Sequence, residues 1–296
     1  MDKMSCKARA KVNLGLDVCR RLENGYHEVK MIMQTVDIYD ELEFIKRKDP
    51  DIILSVDSDD SLGDISNNLI FRAAKLMREY YSIKEGIEIY LKKNIPVAAG
   101  MAGGSADAAA CFCGLNEMMG KPLSIEECRK QGVKIGADVP FCMEGGTQLS
   151  EGIGEILTRL PDYECPYILI AKPDIDVSTK YVYENLHVDT LTEHPDMDGM
   201  TAAIKNGDRQ GVLACMENVL QNVTEKKYPV ITSIKQKMIE AGACNSMMSG
   251  SGPTVFGIFD SSEKLEEAYT LLKASGLAKT IEKTGTVKYA YTIKKR

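Results

Sequence analysis

The sequence predicts an α+β fold in two domains. Strand-period and helix-period segments are intermixed without a regular βαβ alternation, which argues against a doubly wound sheet. The chain has 296 residues, 44% of them apolar, which favours two cores over one. One stretch, "PDYECP", holds Pro161 and Pro166 between strand-rich halves and reads as the boundary. It assigns 1–160 and 161–296 to separate domains.

Residues 7–19, "KARAKVNLGLDVC", alternate cleanly. Ala8, Ala10, Val12, Leu14, Leu16 and Val18 share one face of a half-buried strand, and Lys11 and Asn13 share the other. Asn24-Gly25 signals a turn. Residues 28–47 read as one or two strands and 52–56 as another. In "SNNLIFRAAKLMREYY" the apolar residues at 69, 73, 76 and 80 have helical spacing, with Ser66, Asn67 and Asn68 as candidate caps. Residues 87–91 alternate as a strand. "NIPVAAGMAGGSADAAACFCGLN", 94–116, turns from a small-residue run into a helix over 105–119. Ser124 and Glu127 form a capping box for the next helix. Short strands on either side of Gly145-Gly146 are expected after "GADVP", ending near Leu160. "CPYILIAKP", 165–173, is a continuous apolar run and hence a buried strand. Helices are expected near 178–186, 208–222 and 229–241. "NSMMSGSGPTVFGIFD" reads strand, glycine-rich turn, strand. A helix over 263–275 and the strand "VKYAYTI" close the chain.

Composition excludes several classes. The net charge is −6, and no basic cluster with interleaved aromatics occurs, so no nucleic-acid partner is expected. No apolar run approaches a membrane span, and the N-terminus lacks a signal-peptide core, so no membrane partner is expected either. Nine scattered cysteines, an odd number, fit reduced thiols in a cytoplasmic protein. Cys111 and Cys113 point apart on a helix, and His27, His187 and His194 are scattered, which is the wrong spacing for a zinc site.

The small-residue run raises a chemical question. A helix N-terminus offers unpaired N–H groups and a positive dipole end, and glycine lets an anion approach them. Gly100 and Gly104 stand four apart, but Ser105 occupies the place of a P-loop lysine, and G-x-G-x-x-G is absent. The residues alone allow either a phosphate site or a tightly packed helix. Asp138, in the apolar "IGADVPF", is either a turn former or a partly desolvated general base. Lys11, on the same reading, is a solvated strand residue.

Taken in order, these segments resemble the GHMP small-molecule kinases. "PVAAGMAGGSADAAA" is similar to their glycine-rich loop and "MSGSGPTVF" to their third motif; "AKVNLGLDV", "NGYHEV", "NNLIFRAA", "GADVPF" and "EGIGEIL" match further segments. The resemblance spans about residues 8–259. It implies a two-domain α+β fold with the active site in the interdomain cleft. ATP would be the phosphoryl donor, with Mg²⁺ beside it. The acceptor implied is a cytidine diphosphate-linked methylerythritol, phosphorylated on its 2-hydroxyl in non-mevalonate isoprenoid precursor synthesis, by a monomer or weak homodimer.

The same resemblance assigns roles by position. Asp138 would orient or deprotonate the acceptor hydroxyl; Lys11 would keep Asp138 ionised and steady the developing charge. Asn13 would position that pair. Tyr26 and His27 would hold the cytosine, with Thr179 and Tyr183 on the same substrate. The donor loop would comprise Pro96, Val97, Ala98, Ala99, Gly100, Met101, Ala102, Gly103, Gly104, Ser105 and Ala106, with Asn68 on the adenine side. Gly250, Ser251 and Gly252 form the third-motif loop. Ser105 would touch the phosphates or the metal, and no further metal ligand is assigned. Three departures stand out: Met101 replaces a leucine, Asp107 stands where asparagine is common, and "VSTKYVY" lacks an expected proline. "NGYH" argues against kinases of homoserine, mevalonate or sugars, whose substrates carry no base to stack. Lys11 and Asp138 together argue against an inactive nucleotide-binding module.

Overall fold

The computed structural model describes residues 3–57, 65–120 and 123–295. Two long strands open the chain, β1 (Lys3–Arg21) and β2 (His27–Lys46), paired antiparallel from Lys3↔Ile45 to Arg21↔His27. The pairing slips between Arg9 and Lys11, between Asn13 and Gly15, and between Val18 and Arg20. Such bulges bend a strand and re-aim its side chains. Here they bracket Lys11 and Asn13. The expected alternation holds up to Ala10. From there to Val18 every residue is buried, so this is not a half-buried strand throughout. The second face is covered by the loops described below.

The chain continues through β3 (Ile52–Asp57), α1 (Leu69–Tyr81), β4 (Ile87–Lys92), α2 (Gly103–Met118) and α3 (Ile125–Gly132). The predicted Ser124–Glu127 capping box is present in full. The fully buried stripe of α1 is Ile70, Ala73, Ala74 and Met77; of the expected positions Ala73 is in it, Leu69 and Leu76 are partly buried beside it, and Tyr80 is 47% exposed. The small Ala73 and Ala74 let α1 lie close against α2. In α2 every residue from Ala106 to Asn116 is buried, as expected of a helix apolar on all sides. Next come α4 (Val139–Glu144), β5 (Thr147–Glu151) and β6 (Ile156–Arg159). α4 replaces the strand expected before Gly145. A six-residue apolar run has no decisive period, and Pro140 in the first turn favours a helix.

The remaining elements are β7 (Ile168–Lys172), α5 (Thr179–Glu184), α6 (Met197–Lys205), α7 (Arg209–Ala214), α8 (Gln221–Lys227), α9 (Val230–Glu240), β8 (Asn245–Met248), β9 (Val255–Ile258), α10 (Ser262–Ser275), β10 (Thr280–Thr284) and β11 (Tyr291–Lys295). α6 and β10 were not anticipated. The helix expected over 208–222 is broken, because the segment around Asn218 runs alongside β1: Leu16 N donates to Glu217 O at 2.9 Å and Val219 N to Leu16 O at 3.1 Å.

Among the described residues the strands form two sheets. One has seven strands, ordered β11-β1-β2-β4-β3 with β5 and β6 continuing from β2; the other is β10-β7-β9-β8. The passage between sheets falls between Arg159 and Ile168, and β11 returns to pair with β1. β1 therefore touches both halves of the molecule, and it carries Lys11 and Asn13.

Candidate active site

A cavity of about 1250 Å³ opens between the two halves. One wall is the loop before α2. Pro96, Val97, Ala98, Ala99, Gly100, Ala102, Gly103, Gly104 and Ser105 all line it. Ala98 and Ala102 adopt left-handed backbone (φ 50° and 56°), a strained conformation for alanine that persists where surroundings impose it. The first-turn N–H groups of Gly103, Gly104 and Ser105 have no intrahelical acceptor. Ala106 differs: its N–H donates to Ala102 O at 2.8 Å, and its side chain is buried. Met101 is also in the core, 1% exposed. Of the donor loop expected from the sequence, these two residues do not line the cavity. Met101 contributes a carbonyl that accepts Lys11 N–H at 3.1 Å.

Gly100 is the node of this wall. Its carbonyl accepts from Lys11 Nζ at 3.0 Å and from Ser249 Oγ at 3.0 Å. Its φ is +72°, and a Cβ there would stand 2.2 Å from Ser249 O, so only glycine fits. At Gly104, by contrast, a Cβ would meet nothing closer than Leu69 Cδ1 at 3.7 Å. The first glycine joins two loops; the second leaves an open approach.

Lys11 is 5% exposed, and its ammonium also donates to Asn13 Oδ1 at 2.7 Å. Burial pushes the Lys11 ammonium below its ordinary value, and the Asp138 charge partly restores it. Asp138 stands at the N-cap of α4 and lines the cavity. Among the described residues its carboxylate forms no hydrogen bond or ion pair, so both oxygens are open to a ligand. The pair couples through space, and the direct tie of Lys11 is to the glycine loop.

Asp107, the departure noted in the sequence, does not face the phosphate wall as a free acid. It is 2% exposed, and Lys93 Nζ donates to its Oδ2 at 2.9 Å. Lys93 also pairs with Asp40, whose Oδ1 accepts the N–H groups of Asn94 (2.6 Å) and Ile95 (2.8 Å). Burial raises the Asp107 carboxyl well above its usual range, against the pull of Lys93. Desolvation alone would depress the Lys93 ammonium, but Asp107 and Asp40 together raise it. The cluster ties the end of β4 to α2 just behind the loop. Sequence reasoning did not single out Lys93 or Asp40, which lie 53 residues apart in the chain.

Tyr26 and His27 line the opposite end of the cavity. Tyr26 follows an Asx turn, its N–H donating to Asn24 Oδ1 at 3.0 Å, and its ring is 59% exposed. The His27 and Tyr183 rings lie 5.1 Å apart at 39°. Burial, helped by Arg21, lowers the His27 imidazole, and burial with the Asp138 charge raises the Tyr183 phenol. Asp138 is thus within electrostatic reach of both Lys11 and the aromatic end. Thr179 Oγ1 lies 2.9 Å from Ser251 Oγ, a contact across the cavity mouth. Gly250 and Ser251 line the cavity, but Gly252 does not: it is buried at φ +85°, where a Cβ would stand 2.5 Å from Met248 Sδ. Asn68 lines the cavity and also caps α1, its Oδ1 accepting Ile70 N at 2.8 Å; only its NH₂ remains for a ligand.

With this geometry in view, likeness to known proteins is informative. The GHMP kinases N terminal domain model matches residues 68–146, and the GHMP kinases C terminal model matches 200–276. The 4-diphosphocytidyl-2-C-methyl-D-erythritol kinase of Lachnospira eligens is 50% identical over 97% of this chain and 99% of its own length. The chain belongs to the 4-diphosphocytidyl-2-C-methyl-D-erythritol kinase family of the GHMP kinases. Another family member, from Lachnoclostridium phytofermentans, is 49% identical over 91% of this chain and 92% of its own. A crystal structure of 4-(cytidine 5'-diphospho)-2C-methyl-D-erythritol kinase superposes with TM-score 0.78 at 27% identity, covering 95% of this chain and 98% of that one. A homoserine kinase from Cytophaga hutchinsonii reaches TM-score 0.80 at only 20% identity, with 99% and 98% coverage; that likeness shows the fold alone. The GHMP fold is therefore common to kinases of different acceptors, so the fold alone does not name the acceptor.

Proposed function

We propose that this chain transfers the γ-phosphoryl group of ATP to the 2-hydroxyl of 4-diphosphocytidyl-2-C-methyl-D-erythritol, yielding ADP and the 2-phosphate. One observation carries the reading. A single cavity has a backbone phosphate cradle at one end and aromatic rings at the other, with Asp138 in electrostatic reach of both Lys11 and Tyr183.

The free first-turn N–H groups of α2 receive the donor phosphates. Tyr26 and Tyr183 offer faces for the cytosine, and His27 a hydrogen-bonding edge. The Asp138 carboxylate accepts the acceptor's hydroxyl proton as the oxygen attacks the γ-phosphorus and the bond to the ADP oxygen breaks. Lys11, held at Gly100, fixes a positive charge where negative charge moves. Mg²⁺ fits as a hard cation held chiefly by the phosphates, neutralising their charge. Ser105 Oγ, lining the cavity without a hydrogen-bond partner among the described residues, would be its protein oxygen; Asp107 also lines the cavity, with Oδ2 paired to Lys93 and Oδ1 without a hydrogen-bond partner among the described residues. The reading includes domains at 1–160 and 161–296 and a cytoplasmic monomer or weak homodimer. No helix among the described residues is long and apolar enough to cross a membrane.

Phosphorus NMR of the purified protein with ATP, Mg²⁺ and each candidate acceptor tests this. A new phosphomonoester is expected with the cytidine-linked acceptor and not with homoserine or mevalonate. Turnover of either of those, or none with the cytidine-linked acceptor, overturns it.

A further inference from the structure

The third-motif loop is held from behind by a residue that the motifs do not include. Asn218 is 2% exposed. Its Nδ2 donates to Met248 O and to Gly250 O, each at 2.8 Å, and its Oδ1 accepts Leu220 N at 3.0 Å. Both N–H donors of the carboxamide and one lone pair of its oxygen are thus committed to backbone. The same segment runs alongside β1 at Leu16, the strand that carries Lys11 and Asn13.

The consequence lies on the far side of one peptide plane. The Gly250–Ser251 bond is trans, so its C=O and N–H point in opposite directions. Asn218 pins the carbonyl on the inner side. Gly250 and Ser251 both line the cavity, and among the described residues neither N–H has an acceptor. Gly250 is in the left-handed region, φ +56°. Asn13 Oδ1, which accepts the Lys11 ammonium, would lie 3.5 Å from a Cβ at Gly250, so this turn sits beside the Lys11–Asn13 pair. Thr224 stands under the next peptide, its Oγ1 placed 3.2 Å from both Ser251 O and Leu220 O, which share its one hydroxyl proton.

We propose that Asn218 is a positioning residue for phosphoryl transfer: by holding the Gly250 carbonyl away from the cavity it presents the Ser251 N–H to the transferring group. The inference rests on the kinase reading above. Asn218 itself touches no substrate.

The test compares Asn218→Ala with Asn245→Ala. Asn245 makes a bond of the same kind, Nδ2 to Leu213 O at 2.7 Å, on β8 and outside the cavity. Misplacing one preorganised donor lowers turnover by about 10²-fold. Asn218→Ala is expected to lose about that much kcat, with each KM changed less than about threefold, while Asn245→Ala melts comparably early and keeps its kcat. The amide signal of Ser251 is expected to move on adding a non-hydrolysable ATP analogue with Mg²⁺ in the parent, and to stay put in Asn218→Ala. A kcat for Asn218→Ala within threefold of the parent, or equal losses in both variants, overturns the proposal. If Asn218→Ala does not fold, Thr224→Val decides: a kcat loss of roughly three- to tenfold supports it, and an unchanged kcat overturns it. A parent without turnover refutes the kinase reading instead, and the Ser251 amide signal still tests the loop on its own.

Discussion

The two ends of the cavity are built by different means. At the donor end, the ligand-facing groups are backbone, and the side chains behind them are buried and bonded: Lys11, Asn13, Ser249, and the Lys93–Asp40–Asp107 cluster. At the acceptor end the groups are side chains, and Tyr26 is more than half exposed. The ATP phosphates are the same for every kinase that uses ATP, so a rigid cradle for them suits the whole fold. On the proposed reading the acceptor varies between kinases, and its recognition would fall to side chains, from exposed Tyr26 to Tyr183 packed against the core. Damage at the donor end should therefore couple activity to stability unless the altered group is free of packing. Damage at the acceptor end should appear in one KM alone.

The sharpest exception within the buried end is Asp138, whose carboxylate is bonded to nothing among the described residues. Asp138→Asn is expected to lose about 10²-fold or more in kcat, within the range of about 10²- to 10⁴-fold that a positioned general base contributes, with a melting temperature within a few degrees of the parent. An unaltered kcat would move the base elsewhere.

The two glycines of the loop separate packing from ligand approach. Gly100→Ala forces a Cβ onto Ser249 O at 2.2 Å and is expected to lower both melting temperature and kcat. Gly104→Val is expected to keep the melting temperature, since its Cβ has room, and to raise the KM for ATP roughly tenfold or more. If both variants melt early, the small-residue run serves packing and not phosphate.

At the other end, Tyr26→Ala is expected to raise the acceptor KM roughly 5- to 150-fold, the range of about 1–3 kcal/mol for stacking a base on an aromatic ring. The KM for ATP and the melting temperature should not move. Parallel rises in both KM values would mean that Tyr26 supports the hairpin.

The smallest expected effect is in pH. His27 is lowered below its ordinary value by burial, with Arg21 adding to this. The neutral ring, present above that lowered value, is the form seated in the site. Acceptor KM should be flat above about pH 6.5 and rise on acidification through the lowered value. His27→Gln should abolish that rise and leave the KM for ATP flat throughout.

Local signals were legible where the chemistry is local. The Ser124–Glu127 box, the Asn68 cap and the long strand through Lys11 follow from residues a few positions apart. The helix expected over 105–119 is present but begins two residues earlier, at Gly103. What escaped depends on distant partners. The helix over 208–222 breaks because β1 pairs with it from some 200 residues away, and period alone cannot show that. Lys93 and Asp40 were not singled out, because 53 residues of chain must fold back to bring them together. Met101 and Ala106 lie inside a motif whose other members face the cavity, and only the course of the backbone separates them. Lys11 and Asp138 were visible as a pair only through the ordered motifs; that Lys11 grips the Gly100 carbonyl was not.

The central claim is that the two ends bind two different nucleotides at once. Calorimetric titration with cytidine diphosphate, with and without a saturating non-hydrolysable ATP analogue and Mg²⁺, tests it directly. One cytidine diphosphate per chain is expected in both titrations, with a Kd unchanged within about threefold by the analogue and weakened by Tyr26→Ala. Loss of cytidine diphosphate binding when the analogue is present would place both nucleotides in one site and contradict the account.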